Sequence, residues 1–140
     1  MYEPLFDLIR EFEGCRLTAY VCPAGVLTIG YGSTGPNVRP GLTWTLEQAE
    51  NRMRVDAMRF LRVTQALCPQ LSEGQTCAIA DFAYNLGIGR LKGSTLLKRL
   101  QAGRYEDVPF ELRKWVMGGG RKLPGLVKRR EAEIALFERS

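Results

Sequence analysis

Near the start of the chain stand a carboxyl, a thiol and a hydroxyl that could do acid–base chemistry together: Glu13, Cys22 and Thr28. Glu13 falls in the last turn of a helical pattern, where the carbonyl end of the macrodipole disfavours an ionised carboxylate. A cleft that strips water away acts in the same sense, so both effects favour the protonated form a general acid needs. Cys22 and Thr28 flank a Pro23-Ala24-Gly25 turn signal, so a hairpin there brings them near each other. Taken singly, each has an ordinary structural reading. Glu13 is then a solvated helix end, Thr28 a strand former and Cys22 a small buried apolar group. Histidine is absent from all 140 residues. Ser-His-Asp and Cys-His catalysis, histidine-ligated zinc and histidine pH switching are therefore excluded. The four cysteines, Cys15, Cys22, Cys68 and Cys77, contain no C-x-x-C pair, and neither a metal nor a cofactor is expected.

The elements that must position these groups follow from periodicity. Residues 3–13 predict an amphipathic helix, with Pro4 in its first turn, Leu5, Leu8, Ile9 and Phe12 on one face, and Gly14 ending it. Leu17 to Cys22 and Val26 to Tyr31 predict a hairpin. Gly30 to Pro36 and Pro40-Gly41 then mark irregular loop. Thr45-Leu46-Glu47-Gln48 is a capping box opening a helix to about Leu67, stopped by Cys68-Pro69, and Ser72-Glu73-Gly74-Gln75 is a second. The segment from Cys77 to Leu86 is apolar nearly all round, the mark of a central helix. Short helices are expected near 93–102 and 107–117, a mobile break at Gly118-Gly119-Gly120, and a last helix from Pro124 with Leu126, Val127, Ile134 and Phe137 on its apolar side. The expected fold is α+β and mainly helical, one domain over 1–140. It comprises an N-terminal helix and β lobe (1–44), a connecting helix (45–68) and a helical lobe (69–140), with a cleft between the lobes.

Glu13-Gly14, eight residues, Cys22, five residues, then Thr28-Ile29-Gly30-Tyr31-Gly32 resembles the active-site signature of the phage-type lysozymes and endolysins, glycoside hydrolase family 24. Ala83-Tyr84-Asn85-Leu86-Gly87 resembles the end of that family's central helix. Lys114-Trp115 and the run from Leu123 to Glu131 resemble its C-terminal part, so the likeness covers nearly the whole chain in order. It implies a lysozyme-like fold and hydrolysis of the β-1,4 bond between N-acetylmuramic acid and N-acetylglucosamine in bacterial peptidoglycan, lysing the host cell. By resemblance Glu13 protonates the leaving oxygen, and Cys22 and Thr28 hold and help activate water on the opposite face. That is the inverting arrangement, with the acid and base groups about 6.5–9.5 Å apart. The family commonly has Asp where this chain has Cys22, and often His where it has Ser33. A thiol with a reference pKa of about 8.5 is mostly protonated at neutral pH. Cys22 therefore has a depressed proton affinity, or positions water by hydrogen bonding, or attacks the sugar as a nucleophile; positioning with weak basicity is favoured.

The resemblance also implies a substrate groove containing Asp81, Tyr84, Asn85 and Trp115, all of which also have ordinary core or helix-surface readings. Cys15 and Cys22 form a candidate redox-switch disulfide that would consume the thiol and open on reduction or exchange. Cys77 is expected in the core, and a Cys68–Cys77 pairing stays open. The partner is peptidoglycan. A monomer is expected, acting at the wall of the infected bacterium after synthesis in its cytoplasm and reaching it by a membrane lesion or an N-terminal export segment. No stable membrane insertion is expected, because no apolar run approaches the roughly 20 residues of a spanning helix.

Twenty basic against fifteen acidic residues give +5, which suits an anionic partner. Lys128-Arg129-Arg130 reads as a solvated helix face that aids approach to an anionic wall. The competing class is a basic helical nucleic-acid-binding domain, which no recognisable binding motif supports. A third reading is a wall-binding protein of lysozyme fold that has lost activity.

Overall fold

The computed structural model describes residues 1–140. Helix α1 (Glu3–Glu13) buries Leu5, Phe6 and Ile9 and ends at Gly14, whose φ of 64° is left-handed backbone. Strands β1 (Arg16–Val21) and β2 (Leu27–Gly30) pair antiparallel, with Tyr20 opposite Thr28 and Val21 opposite Leu27. The long loop after β2 returns along the other edge of β1, where the Ala19 N–H donates to Leu42 O and the Trp44 N–H to Leu17 O. An antiparallel bridge between Thr18 and Thr43 belongs to the same return, so the loop shields what would otherwise be an open sheet edge.

Helix α2 (Leu46–Leu67) starts on the expected capping box: the Gln48 N–H donates to Thr45 Oγ1 at 3.1 Å and the Thr45 N–H to Gln48 Oε1 at 2.8 Å. Its buried stripe is narrow, Ala49, Met53, Ala57, Leu61 and Thr64, so most of its circumference remains available to solvent and the cleft. Helix α3 (Glu73–Leu86) also opens on its capping box and buries every residue from Thr76 to Ala83. It is the axis of the helical lobe, with α1, α2 and α7 (Pro124–Glu138) packed against it. No helix is long and apolar enough to cross a membrane.

Three details depart from the sequence expectation. A short helix α4 (Ile88–Lys92) precedes α5 (Thr95–Gln101), because Ser94 caps α5 by accepting from Leu97 N–H and separates the two. Helix α6 (Val108–Arg113) stops before 117. In place of a mobile glycine break, Met117–Gly118 (β3) and Arg121–Lys122 (β4) form a tight hairpin. Gly119 and Gly120, at φ 58° and 80°, supply the two left-handed residues that a type I′ turn demands.

A polar clamp ties α1 and the turn after β2 to α2. Arg10 of α1 donates from Nε and Nη2 to both oxygens of Glu50 on α2, at 2.7 and 2.9 Å, and the Tyr31 hydroxyl donates to the same carboxylate at 3.2 Å. The Arg10 guanidinium holds Glu50 below the usual carboxylate range, while burial and the facing carboxylate push Tyr31 up to about 12. A carboxyl with depressed proton affinity in the fold adds stability above its unfolded pKa and loses it as pH falls through the folded one. Replacing Glu50 by Gln should therefore cost roughly 1–2 kcal/mol at neutral pH, since the bonds are charge-assisted but partly exposed. Urea unfolding across pH should show the gap between wild type and variant closing below about pH 4.

Candidate active site

The register of the hairpin decides where Cys22 and Thr28 point. Thr28 lies opposite Tyr20, and Cys22 is two residues further along from Tyr20, so the alternation of a strand puts all three on one face. The turn closes through Cys22 N–H to Val26 O at 3.0 Å and Gly25 N–H to Cys22 O at 2.8 Å. Thr28 is buried and its hydroxyl donates to Val26 O at 2.9 Å. The Cys22 sulfur is surrounded by the backbone of Val26, then that of Ala24, then the Thr28 hydroxyl, and these hydrogen bonds lower its pKa below that of an ordinary thiol. The sequence pairing of Cys22 with Thr28 is thus present in the fold.

Glu13 reaches the same region from the end of α1. A Cβ built on Gly32 would stand 2.8 Å from Glu13 Oε1, and Gly32 has φ 78°, so both sterics and backbone demand glycine there. The intervening Gly30-Tyr31-Gly32 turn is closed by mutual bonds between Ile29 and Ser33, at 2.9 and 2.8 Å. Thr28, in β2, is thereby linked through the tight turn that ends the strand to the residue that touches Glu13. Ser33 is buried and its hydroxyl donates to Asp56 at 3.4 Å, while Arg52 donates to both Asp56 oxygens and to Thr34 O. This group anchors the turn to α2.

Glu13 is neither a freely solvated helix end nor a carboxyl among apolar groups alone. Its Oε2 accepts from Arg129 Nη1 of α7 at 2.7 Å, and Arg129 Nε and Nη2 grip the two oxygens of Asp81 at 2.9 and 2.8 Å. The expected solvated face at Lys128-Arg129-Arg130 is corrected: Arg129 is 3% exposed and Arg130 fully buried, and only Lys128 faces water. A buried guanidinium must be paired, and the interior of α3 and α7 supplies Asp81, Glu133 and Asn85 as partners. Asp81 is corrected too. It is fully buried under Arg129 and has no surface to offer a sugar.

Two hollows flank the Glu13–Gly32 contact. One, of about 420 Å³, is lined by Phe12, Glu13, Asn85, Leu123, Leu126 and Arg129, among others. The other, of about 130 Å³, is lined by Gly32, Thr34, Arg52, Asp56, Phe60 and Tyr84, with Arg59 at its rim. Tyr84 spans the lobes by donating its hydroxyl to Tyr31 O at 2.6 Å. Asn85 is half-exposed beside Glu13 and accepts from Arg130. Trp115 lines neither hollow; it stands edge-on to Phe82, with centroids 5.4 Å apart. All four cysteines are free. Cys68 and Cys77 are buried and unpaired, and burial raises both thiols, Cys77 to about 11.

Comparison with known proteins places the chain in a family. The family model described as phage lysozyme matches residues 10–133, from within α1 to within α7. An endolysin of Acyrthosiphon pisum secondary endosymbiont phage 1 is 44% identical over 137 residues, covering 94% of this chain and 92% of the relative. An endolysin of Bacillus phage B103 is 42% identical over 134 residues, 94% of this chain, but the chain spans only 51% of that relative's length. Among solved structures, the muramidase domain of SpmX from Asticaccaulis excentricus superposes with a TM-score of 0.87 at 31% identity, covering 96% of this chain and 94% of that one. The chain belongs to the phage lysozyme family.

Proposed function

We propose that this protein is a muramidase that hydrolyses the β-1,4 bond between N-acetylmuramic acid and N-acetylglucosamine in bacterial peptidoglycan, acting at the cell wall. The observation that carries the reading is the placement of Glu13: a carboxyl at a helix end, held by a buried arginine and pressed against the glycine turn that continues from Thr28. Arg129 donates to Oε2, and the unprotonated oxygen of a carboxyl is the better acceptor, so Oε1 is the atom that carries the catalytic proton. Glu13 then gives that proton to the glycosidic oxygen. Cys22 and Thr28 steer water to the opposite face of the sugar, with the sulfur acting as a weak base whose anionic form is favoured by the turn's hydrogen bonds. Tyr84 and Asn85, which line the flanking hollows, contact the glycan strand. Replacing Glu13 by Gln should reduce the rate of turbidity loss from purified peptidoglycan by at least about a hundredfold while leaving the thermal unfolding profile close to wild type. New reducing ends should identify hydrolysis, whereas an anhydro sugar product would assign the chain to lytic transglycosylation instead.

The thiol carries a second, separable expectation. At a pH of about 7.5, brief iodoacetamide treatment followed by peptide mapping should label Cys22 well before the buried Cys68 and Cys77, whose pKa values are raised. Threonine-to-valine substitution at position 28 should slow labelling of Cys22, because one of the hydrogen bonds favouring the thiolate is lost.

We further propose that Cys15 and Cys22 form a disulfide that switches the enzyme off. The two thiols bracket β1, which as an extended strand holds their Cα atoms about 20 Å apart, whereas a disulfide needs less than about 7 Å. Cys15 instead lies against the Tyr31 hydroxyl. The bridge therefore demands that β1 leave β2, and that rearrangement also dismantles the Cys22–Thr28 pair. It forms by exchange with an oxidising disulfide, which accepts two electrons and leaves as two thiols. Non-reducing peptide mapping of oxidised protein should show the bridge, and adding reductant should restore both the free thiols and activity; undiminished activity in oxidised protein would exclude the switch.

A further inference from the structure

Behind Glu13 lies a second carboxyl pair that the reaction as described does not use. Asp81 on α3 and Glu133 on α7 are both fully buried, and Glu133 stands one helical turn beyond the Arg129 that grips Asp81, on the side of α7 packed against α3. Asp81 already gives one lone pair of each oxygen to Arg129, which in turn holds Glu13. Glu133 faces Arg130, but poorly. Nη2 stands 3.3 Å from Oε2, and Nε, although 3.0 Å from Oε1, is misaligned, so that both Nε and Oε1 lack a hydrogen-bond partner. Arg130 spends its better bond on Asn85. A buried carboxylate served this badly is not held in its ionised form by its cation.

We propose that Asp81 and Glu133 are positioning residues for the general acid, a buried carboxyl pair bridged by one proton that fixes both the seat and the charge of Arg129 behind Glu13. Two adjacent carboxylates cannot both ionise in a dry interior without great cost, so the pair divides into an acid and its conjugate base. Desolvation pushes Glu133 well above the ordinary carboxyl range, whereas hydrogen bonding from Glu133 and the Arg129 guanidinium hold Asp81 below it. Glu133 is the partner that keeps the proton and donates it to Asp81. Asp81 then carries one negative charge against the two guanidinium groups, leaving one positive charge facing Glu13. The other groups packed around the pair are accounted for. The Tyr84 hydroxyl is turned to Tyr31 O, and on α6 Glu111 pairs with Lys114 and Arg113 with Glu131. The pair thus limits how strongly Arg129 draws Glu13 toward its ionised form, while keeping the guanidinium in register with Oε2.

This inference rests on the muramidase reading, and its test separates the two. With peptidoglycan fragments as substrate, kcat/KM is measured across pH for wild type, Asp81→Asn and Glu133→Gln. Removing the Asp81 charge leaves about one more positive charge beside Glu13, so the basic limb should move to lower pH by roughly one unit, with the loss at neutral pH falling on kcat rather than KM. Glutamine at 133 keeps a donor toward Asp81 and changes no charge, so the basic limb should stay at its wild-type pH. A limb that moves equally in both variants, or in neither, overturns the proposal. Carbon-13 NMR of the Glu133 carboxyl in the wild-type protein decides the matter even if a variant fails to fold: the signal should stay that of a protonated acid from about pH 5 to 8, and an ionisation within that range overturns the pair. A protonated Glu133 in a protein that leaves peptidoglycan intact would refute the enzymatic reading and not the shared proton.

Discussion

The arrangement of this molecule depends on one buried guanidinium. Arg129 projects from α7 into the junction of three helices and is gripped on two sides, by Asp81 of α3 and by Glu13 of α1. Desolvating a guanidinium costs several kcal/mol, and only near-ideal geometry with carboxylates repays it. That requirement leaves little freedom in how α1 and α7 meet α3: a rotation of α7 by one residue would strand the charge. It also explains why an apolar helix such as α3 carries Asp81 in its middle. Such a pair contributes less to net stability than to uniqueness, because breaking it from either side leaves an uncompensated charge in the interior.

The N-terminal lobe is secured by different means, and the contrast bears on how the cleft is built. The hairpin contributes little apolar burial of its own; most of β1 is exposed. It is held by polar bonds to rigid helices: Tyr84 to the Tyr31 carbonyl, Tyr31 to Glu50, Glu50 to Arg10, and the Ser33–Asp56–Arg52–Thr34 group. Each of these bonds is directional, so together they fix the angle of the Gly30-Tyr31-Gly32 turn more tightly than an equal area of apolar contact could. The turn must be fixed because Gly32 packs directly on Glu13, where a single methyl group would displace the carboxyl.

How much of this was legible in the sequence follows from which residues carry local information. Thr45-Gln48 and Ser72-Gln75 encode their helix starts within four residues, and both form as read. The apolar run around Phe82 announces a central helix without reference to anything else. The Cys22–Thr28 juxtaposition needs only strand alternation and a turn. The run Lys128-Arg129-Arg130 suggests a solvated face because a run of cations is normally one, and the burial of Arg129 and Arg130 depends on partners on α3, far away in sequence. A signal was nevertheless present: Asp81 inside a helix apolar all round requires a buried cation, and the basic run on the last helix could supply it. The glycine triplet misled for another reason. Flexibility and a type I′ turn call for the same residue, and only the cross-strand bonds of β3 and β4 distinguish them.

The proposed reaction asks a protein without histidine for two groups of opposite proton affinity on either side of one bond, and the two groups named for it have different surroundings. The thiol sits at a solvent-facing turn whose hydrogen bonds favour its anion, so a group that is ordinarily protonated at neutral pH is biased toward accepting a proton. The Glu13 carboxyl stands at the C-terminal end of α1 with one oxygen bonded to Arg129. Asp81 takes two more of that guanidinium's bonds. Turn backbone adjusts the one group and buried side chains the other. The contacts around Cys22 come from the hairpin's own turn and those on Glu13 from α7, so the two sets are built from separate parts of the chain.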